Sequence, residues 1–368
     1  MTMTAPRTNS AAILRGQVLR LAARLTTPLV PSDYLDVIDP LRSGAALRGR
    51  IVAINPETRD AVTLVIRPGR GWRGHIPGQY IRVGVDVDGV RQWRAYSLTS
   101  AAGRADGCIT ITVKAIPDGL VSGYLVRRAT VGTVIQLDQA AGDFTLAFPA
   151  PAKVLFVTAG SGITPVMGML RTMQQTQPPG RAPDTVIVHS APTAADVIFG
   201  GELRRLAREG RFRLVEIHTD TDGVLDAGDL DGLVGDITDR HTWACGPVGL
   251  LDNLETHWAG AGIANRLHTE RFRPAVIATG EGGTVNFTAT DTAVENDGTR
   301  SLLDSGEDAG VLMPSGCRMG ICFGCAAPLR RGAVRDLRTG ELTTAAEGDG
   351  VVIQTCISAA AGPCAIEL

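Results

Sequence analysis

The chain has 368 residues, and at roughly 100–200 residues per domain this length predicts two or three domains. Apolar residues make up 44% and charged residues 20%, with a formal net charge of -2. That composition is typical of a globular protein, and the charge balance argues against a chain whose main role is to bind nucleic acid phosphates. No run of about 18 apolar residues occurs, so no membrane-spanning helix is expected.

Residues 1–48 predict an N-terminal arm with an amphipathic helix. Leu14, Val18, Leu21 and Leu25 recur at helical spacing. Two interpretations stay open: the arm packs on the first domain, or it touches a membrane surface or a partner. The first residues lack the charged-then-apolar order of a secretory signal. We therefore expect a cytoplasmic protein, with peripheral attachment at the inner face of the cell membrane as an open alternative.

Residues 49–149 predict a small antiparallel β-barrel. Short β-branched runs recur there, and Gly, Pro and Asp turns separate them. A helix is expected near 119–128. The predicted strands are Ile51–Ile54, Ala61–Ile66, Tyr80–Val85, Cys108–Val113 and Thr133–Leu137.

Residues 150–272 change to an alternation of strand, turn and helix, which predicts an α/β domain with a parallel sheet. Residues 273–283 have the composition of a linker. A Cys-rich domain over 284–368 follows and opens with an alternating strand. In the α/β domain we expect strands at Val154–Thr158, Thr185–Val188 and Arg213–Ile217, and helices at Pro165–Met173 and 200–209.

The strongest chemical signal lies in the last domain. Cys317, Cys322 and Cys325 form a C-x4-C-x2-C pattern, and Cys356 follows further along the chain. This is the ligand spacing of a plant-type [2Fe–2S] cluster. A zinc site is the alternative, but such sites usually contain two C-x2-C pairs and this chain has one. Cys364 is left over and is interpreted as a packing residue.

A second signal is the segment Arg94-Ala-Tyr96-Ser97 in the barrel region. A cation, an aromatic ring and a hydroxyl group can bind a planar ring that carries a phosphate. An ordinary strand can contain the same residues, so the interpretation as a binding segment depends on the neighbouring motifs. These are Lys114 and, at the start of the next predicted helix, Gly119 and Ser122, where free N–H groups can bind a pyrophosphate.

A third signal is a glycine turn between a strand and a helix. Gly160 and Gly162 follow the strand, and Thr164 and Pro165 open the helix. Glycines at this place allow a dinucleotide phosphate to approach the helix N-terminus. A turn without a ligand is the alternative.

Cys245 is followed by Gly246 and Pro247 at the end of a later strand. The thiol is therefore expected at the carboxyl edge of the sheet, where open α/β sheets bind ligands. A cysteine in a strand is otherwise usually an inert core residue.

In this order, the motifs resemble those of the ferredoxin–NADP reductase superfamily, in its subgroup with a C-terminal ferredoxin domain. The resemblance covers about 49–368. It implies an FAD-binding antiparallel barrel, a nicotinamide-binding α/β domain and a β-grasp-like α+β domain with a [2Fe–2S] cluster. Cys317, Cys322, Cys325 and Cys356 are then the metal ligands.

The resemblance also implies roles for the other motif residues. Ser97 and Glu270 are expected to tune or shuttle protons at the flavin, and Cys245 to help set the nicotinamide pose. The implied cofactor-binding residues are Arg94, Tyr96, Ser97, Lys114, Gly119 and Ser122 for FAD, Gly160, Gly162, Thr164, Pro165, Gly246 and Pro247 for the nicotinamide nucleotide, and Phe272 near the flavin ring.

On this resemblance, electrons pass from NADPH through FAD and the cluster to a partner. Residues 27–43 look like the leader of bacterial reductases that serve membrane di-iron enzymes, closest to those of stearoyl-CoA Δ9 desaturases. A membrane-bound acyl-CoA desaturase is therefore the first expected acceptor. The alternative is a soluble or ring-hydroxylating oxygenase supplied by an NADH-using reductase. A redox sensor without turnover is the third hypothesis.

Two features of charge leave alternatives open. Where related enzymes often carry an Arg for the 2′-phosphate of NADP, this chain has His189-Ser190. Ser190, Arg204 and Arg205 are the candidates to replace it, which favours NADPH and leaves NADH possible. The last domain also carries an acidic group that is either a solvated face or a surface that steers a basic partner. Its members are Asp291, Glu295, Asp297, Asp304, Glu307 and Asp308.

Overall fold

The computed structural model describes residues 36, 38–42, 46–87, 89–117, 119–146, 149–176, 182–272, 278–316, 318–320 and 323–368. The predicted amphipathic helix of the N-terminal arm lies outside these residues, as do Cys317, Cys322 and residues 273–277 of the predicted linker.

Six antiparallel strands form the first sheet, in the order β4-β3-β6-β1-β2-β5. Leu98, which follows β4, forms a bridge with Ile111 in β5, and the Thr99 N–H donates to the Thr110 carbonyl at 2.8 Å. These contacts join the two edge strands, which confirms the predicted antiparallel barrel. The elements are β1 (Arg48–Thr58), β2 (Ala61–Pro68), β3 (Tyr80–Val87), β4 (Val90–Ser97), β5 (Ile109–Lys114), α1 (Leu120–Arg127) and β6 (Val134–Leu137).

The strand β4 was not among the predicted strands. Its sequence has little alternation, and most of its side chains are half-buried, so the period-two signal is weak. Antiparallel pairing with β3 places Ser97 opposite Tyr80 and Arg94 opposite Val83. Core residues such as Ile81, Val83 and Ile111 fill the barrel interior.

The second sheet has five parallel strands in the order β11-β10-β7-β8-β9. This confirms the predicted parallel-sheet domain. The helix predicted from Pro165 begins two residues earlier, because a 3-10 turn at Gly160–Gly162 leads directly into it. The elements are β7 (Lys153–Ala159), α2 (Ile163–Thr176), β8 (Asp184–Ala191), α3 (Gly200–Arg208), β9 (Arg213–His218), α4 (Thr219–Asp222), α5 (Asp229–Val234), β10 (His241–Cys245), α6 (Val248–Gly260) and β11 (Leu267–Glu270).

The C-terminal domain pairs two strands from its opposite ends. β12 lies parallel to β18 and antiparallel to β13, and β14 adds antiparallel pairing on the other side of β18. This arrangement confirms the predicted β-grasp-like domain. β12 starts at Gly283, inside the predicted linker, because Gly283 already pairs with Asn296. The elements are β12 (Gly283–Phe287), β13 (Thr292–Asn296), α7 (Leu302–Asp308), β14 (Ala326–Asp336), β15 (Leu342–Ala345), β16 (Val352–Gln354), β17 (Ser358–Ala360) and β18 (Cys364–Ile366).

An apolar cluster joins the end of the barrel segment to the parallel-sheet domain. Phe144 and Leu146, which follow β6, pack in one cluster with Met167 and other residues of α2. The Trp243 indole N–H also donates to the Thr145 carbonyl at 3.1 Å. These contacts therefore join the two domains.

Among the described residues, no helix is both long and apolar enough to cross a membrane.

Candidate active site

The flavin motif lies on the last residues of β4. The Arg94 Nη1 donates to the Trp93 carbonyl at 2.7 Å, and no ion pair to Arg94 occurs in the described part of the chain. Burial, and next the charge of Arg318, lowers the pKa of Arg94 to about 10. Burial also raises the pKa of Tyr96. A half-buried cation with no ion-pair partner among the described residues fits the phosphate groups of FAD.

Ser97 ends β4 and is 4% exposed. Its Oγ is buried and has no hydrogen-bond partner among the residues that the structure describes. An orphaned buried hydroxyl is costly unless a ligand satisfies it. The geometry therefore fits a hydrogen bond from Ser97 to a heteroatom of a bound ring.

The residues predicted to bind the flavin phosphates differ in how well they are placed to do so. The Lys114 Nζ donates to both carboxylate oxygens of Asp60 at 2.7 Å, so the charge of this side chain is already compensated. Ser122 Oγ donates to the Gly119 carbonyl at 3.3 Å and accepts from the Ile116 N–H. At this helix start it is the backbone, not the Lys114 side chain, that is suited to bind phosphate.

The glycine turn touches the end of a different strand. A Cβ at Gly162 would lie 2.0 Å from the Cys245 carbonyl oxygen, so only glycine permits this approach. Thr164 Oγ1 donates to the Ser161 carbonyl at 2.9 Å, and Pro165 lies in the first turn of α2. The glycine turn and the motif Cys245-Gly246-Pro247 are therefore brought together.

Cys245 and Glu270 lie side by side on the parallel strands β10 and β11. Burial raises the pKa of Glu270 to about 8, and Glu270 Oε2 has no hydrogen-bond partner among the described residues. Burial and the neighbouring carboxylate raise the pKa of the Cys245 thiol. Both groups are thus neutral near pH 7. Phe272 follows two residues later and is 37% exposed.

The barrel motif reaches this edge through α2. A Cβ at Gly168 of α2 would lie 2.4 Å from the Leu98 carbonyl oxygen, next to Ser97. Arg171 Nη1 also donates to the Thr99 carbonyl at 2.7 Å. The end of β4 therefore packs on the helix that starts at the glycine turn, which brings the flavin and nicotinamide motifs to one place.

In the last domain, Cys325 and Cys356 are held near each other. The Cys325 carbonyl accepts from the Thr355 N–H at 3.2 Å and from the Thr355 Oγ1 at 3.0 Å. Both cysteines are buried, whereas Cys364 lies on β18 in the domain core. Arg318 and Phe323, which directly follow Cys317 and Cys322 in the sequence, have positive φ angles of 58° and 54°, a conformation that is uncommon for residues other than glycine.

The cluster loop faces the flavin motif through Arg318. Arg318 Nη1 donates to Asp304 Oδ1 at 3.1 Å, and Nη2 pairs with Glu307. Arg318 lies near enough to Arg94 to lower its pKa. Arg318 was not among the predicted site residues, although its place directly after the first cluster cysteine could have indicated it.

The same ion pairs modify the acidic group of the last domain. Arg318 neutralises Asp304 and Glu307, and Arg300 Nη2 pairs with Asp308 at 2.5 Å. Half of the six predicted steering acids therefore have a cationic partner.

The carboxyl ends of β8 and β9 carry a cluster of charged and titratable groups. Arg204 Nε donates to Glu216 Oε2 at 3.0 Å, whereas Arg205 pairs with Glu209 at 2.7 Å. Burial, followed by the charges of His218 and Arg204, lowers the pKa of His189 to about 4. Ser190 and Arg204 remain candidates at this edge, while Arg205 is bound elsewhere. Glu216 and His218 had no signal in the sequence motifs.

Three family models match the chain in the order of its domains. They are an oxidoreductase FAD-binding domain over 58–146, an oxidoreductase NAD-binding domain over 156–255 and a 2Fe-2S iron-sulfur cluster binding domain over 286–361.

Curated relatives match most of the chain. A protein named NADPH oxidoreductase from Mycobacterium tuberculosis is 48% identical over 354 residues, covering 95% of this chain and 91% of the relative. The ferredoxin reductase component of 3-ketosteroid-9-alpha-monooxygenase from the same species is 31% identical over 315 residues, covering 77% and 85%. Among solved structures, phthalate dioxygenase reductase matches with a TM-score of 0.61 at 21% identity, covering 87% of this chain and 97% of that chain.

Proposed function

The chain belongs to the family of NAD(P)H oxidoreductases that combine FAD-binding, NAD-binding and [2Fe–2S] ferredoxin domains, and from this premise we propose that it delivers electrons from NADPH to an oxygenase component. The observation that carries the proposal is the order of the groups in space. Glu270 and Cys245 adjoin the glycine turn, Ser97 lies next to the helix after that turn, and Arg318 of the cluster loop lies near Arg94.

Each of these side chains has a distinct task. Ser97 donates or accepts a hydrogen bond at the flavin ring, and Glu270 holds or releases a proton at its carboxyl group. Cys245 forms an uncharged wall for the nicotinamide. When bound, FAD would supply the conversion of an electron pair into single electrons, and a [2Fe–2S] cluster would supply a one-electron carrier.

An oxygenase is the acceptor that the relatives favour. The M. tuberculosis relative at 31% identity is by name the ferredoxin reductase component of a monooxygenase. The expectation of a membrane-bound desaturase depends on residues 27–43, which the structure does not describe apart from residues 36 and 38–42. The soluble or ring-hydroxylating oxygenase, first considered as the alternative, is therefore the better supported acceptor.

NADPH as the electron donor has separate support. The 48% identical relative is by name an NADPH oxidoreductase. Arg204 lies at the edge where a 2′-phosphate would enter, although Glu216 compensates part of its charge. The Coulomb attraction of a dianionic phosphate can compete with that single carboxylate.

Reconstitution tests the acceptor. The holoprotein with NADPH is combined in one arm with a purified ring-hydroxylating oxygenase component and in the other with membrane vesicles that contain an acyl-CoA desaturase. We expect hydroxylated product, coupled to NADPH consumption, in the first arm. Product in the desaturase arm alone would overturn the acceptor proposal, and parallel assays with NADH compare the two donors.

A further inference from the structure

A tight turn joins β14 to β15 in the ferredoxin domain. Asp336 Oδ1 accepts from the backbone N–H groups of Arg338 at 2.7 Å and of Thr339 at 3.2 Å. The Gly340 N–H donates to the Asp336 carbonyl at 2.8 Å. One carboxylate therefore fixes the backbone of this turn and the direction in which the Arg338 side chain leaves it.

The Arg338 side chain reaches the cluster loop. Its Nη1 donates to the carbonyl oxygens of Met319 at 3.4 Å and Gly320 at 3.3 Å, between the first two cysteines of the cluster motif. Asp336 Oδ2 accepts from Nη2 at 3.1 Å, which holds the guanidinium in this orientation. Arginine is suited to this task because its planar fork of donors can bind a carboxylate and a carbonyl group together.

The cluster loop approaches the Arg338 guanidinium closely at Gly320. Gly320 has a φ of 73°, and a Cβ there would lie 2.6 Å from Arg338 Nη1 and 2.8 Å from Ile357 Cδ1. The Leu337 N–H donates to the Ile357 carbonyl at 2.7 Å, directly after Cys356. The turn therefore contacts both the segment that carries three of the cluster cysteines and the segment that carries the fourth.

We propose that Arg338 is a positioning residue that fixes the cluster loop and, together with Asp336, sets the reduction potential of the [2Fe–2S] centre. Reduction adds one negative charge to the centre, and a nearby cation stabilises that charge. Donation to the two carbonyls also holds the peptide groups whose N–H groups can face the cluster sulfurs. Asp336 opposes the effect with its own negative charge. The inference depends on the cluster and not on which oxygenase accepts its electrons.

The test is an EPR-monitored reductive titration of the reconstituted holoprotein and three variants. Arg338→Gln should lower the potential, by about tenfold in the equilibrium constant for reduction, or ~59 mV for a one-electron couple. Asp336→Asn keeps an acceptor for the turn and removes the charge, so the potential should rise. Arg330→Gln is the matched control, because Arg330 pairs with Glu367 at 2.5 Å on the surface and should leave the potential unchanged.

The opposite signs separate a charge effect from a loosened loop. If the substitutions only loosened the loop, the potentials of Arg338→Gln and Asp336→Asn would shift in the same direction, and that result would overturn the proposal. Equal potentials for Arg338→Gln and Arg330→Gln would also overturn it. If Arg338→Gln fails to hold the cluster, Arg338→Lys and Asp336→Asn decide. A near-native potential for Arg338→Lys with a raised one for Asp336→Asn supports the proposal, and an unchanged Asp336→Asn contradicts it. NADPH–ferricyanide turnover should stay normal in every variant and reports intact flavin and nicotinamide domains.

Discussion

The carboxyl edge of the parallel sheet and the cluster loop differ in how many of their polar side chains have hydrogen-bond or ion-pair partners. At the sheet edge, Ser97 Oγ and Glu270 Oε2 are buried without partners among the described residues. Around the cluster loop, Arg318 and Arg338 are held by carboxylates, and Arg338 also binds backbone carbonyls. The first region leaves a hydroxyl and a carboxylate oxygen unpaired, whereas the second pairs the terminal nitrogens of both arginines and leaves only Arg318 Nε without a partner among these described groups.

The difference matches what each region must bind. Ser97 and Glu270 are assigned to the bound organic cofactors, so these groups find hydrogen-bond partners only when those cofactors are present. A cluster stays bound, and its fixed geometry depends on surrounding groups that are locked in place. Unpaired buried groups at the sheet edge therefore mark the side chains that face the organic cofactors, and paired charges predominate around the cluster loop.

Removal of a cluster ligand gives the largest expected effect and tests the cluster loop. Cys325→Ser should abolish the EPR signal of the reduced cluster. Substitution of residues that only surround the metal ligands typically costs about 10–100-fold in activity. Loss of a ligand should lower cytochrome c reduction by more than that. Ferricyanide reduction should persist, because it needs only the flavin. Cys364→Ser is the control, since Cys364 packs in the domain core; loss of the cluster in this folded variant would contradict the ligand assignment.

The sequence predicted the cluster better than its surroundings, for a physical reason. Three of the four cysteines are close in the chain, so their spacing records the geometry of the loop directly. Arg338 reaches Gly320 only through the folding of β14 and β15, and no local pattern marks that contact. The meeting of Gly162 with Cys245 was foreseeable in part, because strand ends of a parallel sheet share one edge. That Asp60 would bind Lys114 depends on the pairing of β2 with β5 and was not foreseeable.

Truncation of an unpaired hydroxyl tests the sheet edge. Ser97→Ala should slow flavin reduction by NADPH about 100-fold, as loss of one preorganised hydrogen-bond donor does. It should not lower the free energy of unfolding of the FAD-free protein, because Ser97 Oγ has no partner to lose among the described residues. Anaerobic stopped-flow absorbance measures the rate, and denaturant titration measures the stability.

Ser100→Ala provides the matched control for Ser97. Ser100 Oγ is buried and accepts from the Thr110 N–H at 3.1 Å. Its removal should lower the free energy of unfolding by about 1 kcal/mol and leave flavin reduction unchanged. A native rate for Ser97→Ala would show that this hydroxyl does not act at the flavin.

The ionisation of Glu270 gives a stability test with a defined sign. Burial raises its pKa from an ordinary 4.5 to about 8, so the folded chain binds this proton at pH 7 and the unfolded chain does not. The free energy of unfolding of the wild type therefore falls as the pH rises from about 4.5 to about 8. Glu270→Gln lacks this loss and should be at least about 2 kcal/mol more stable than the wild type at pH 8.5, which is what is left of about 1.4 kcal/mol for each pKa unit after a discount for partial solvent exposure.

Denaturant unfolding at pH 4 and pH 8.5 checks this prediction, and the two proteins should converge at the lower pH. Glu255→Gln is the control, because Glu255 is half exposed and pairs with Arg271 at 2.9 Å. The same stability difference at both pH values would mean that Glu270 is not held in its protonated form by the fold.

The smallest expected effect concerns the choice between NADPH and NADH. Arg204→Ala should reduce the ratio of kcat/KM for NADPH to that for NADH by about tenfold, which is the loss of one charge-assisted hydrogen bond to a phosphate. Arg205→Ala should leave the ratio unchanged, because Arg205 pairs with Glu209. The Arg204 guanidinium is already bound to Glu216. The 2′-phosphate of NADPH must therefore compete with this carboxylate, whereas NADH carries no such phosphate. Glu216→Gln should therefore raise the ratio, and an unchanged ratio in both Arg204→Ala and Glu216→Gln would place phosphate recognition elsewhere.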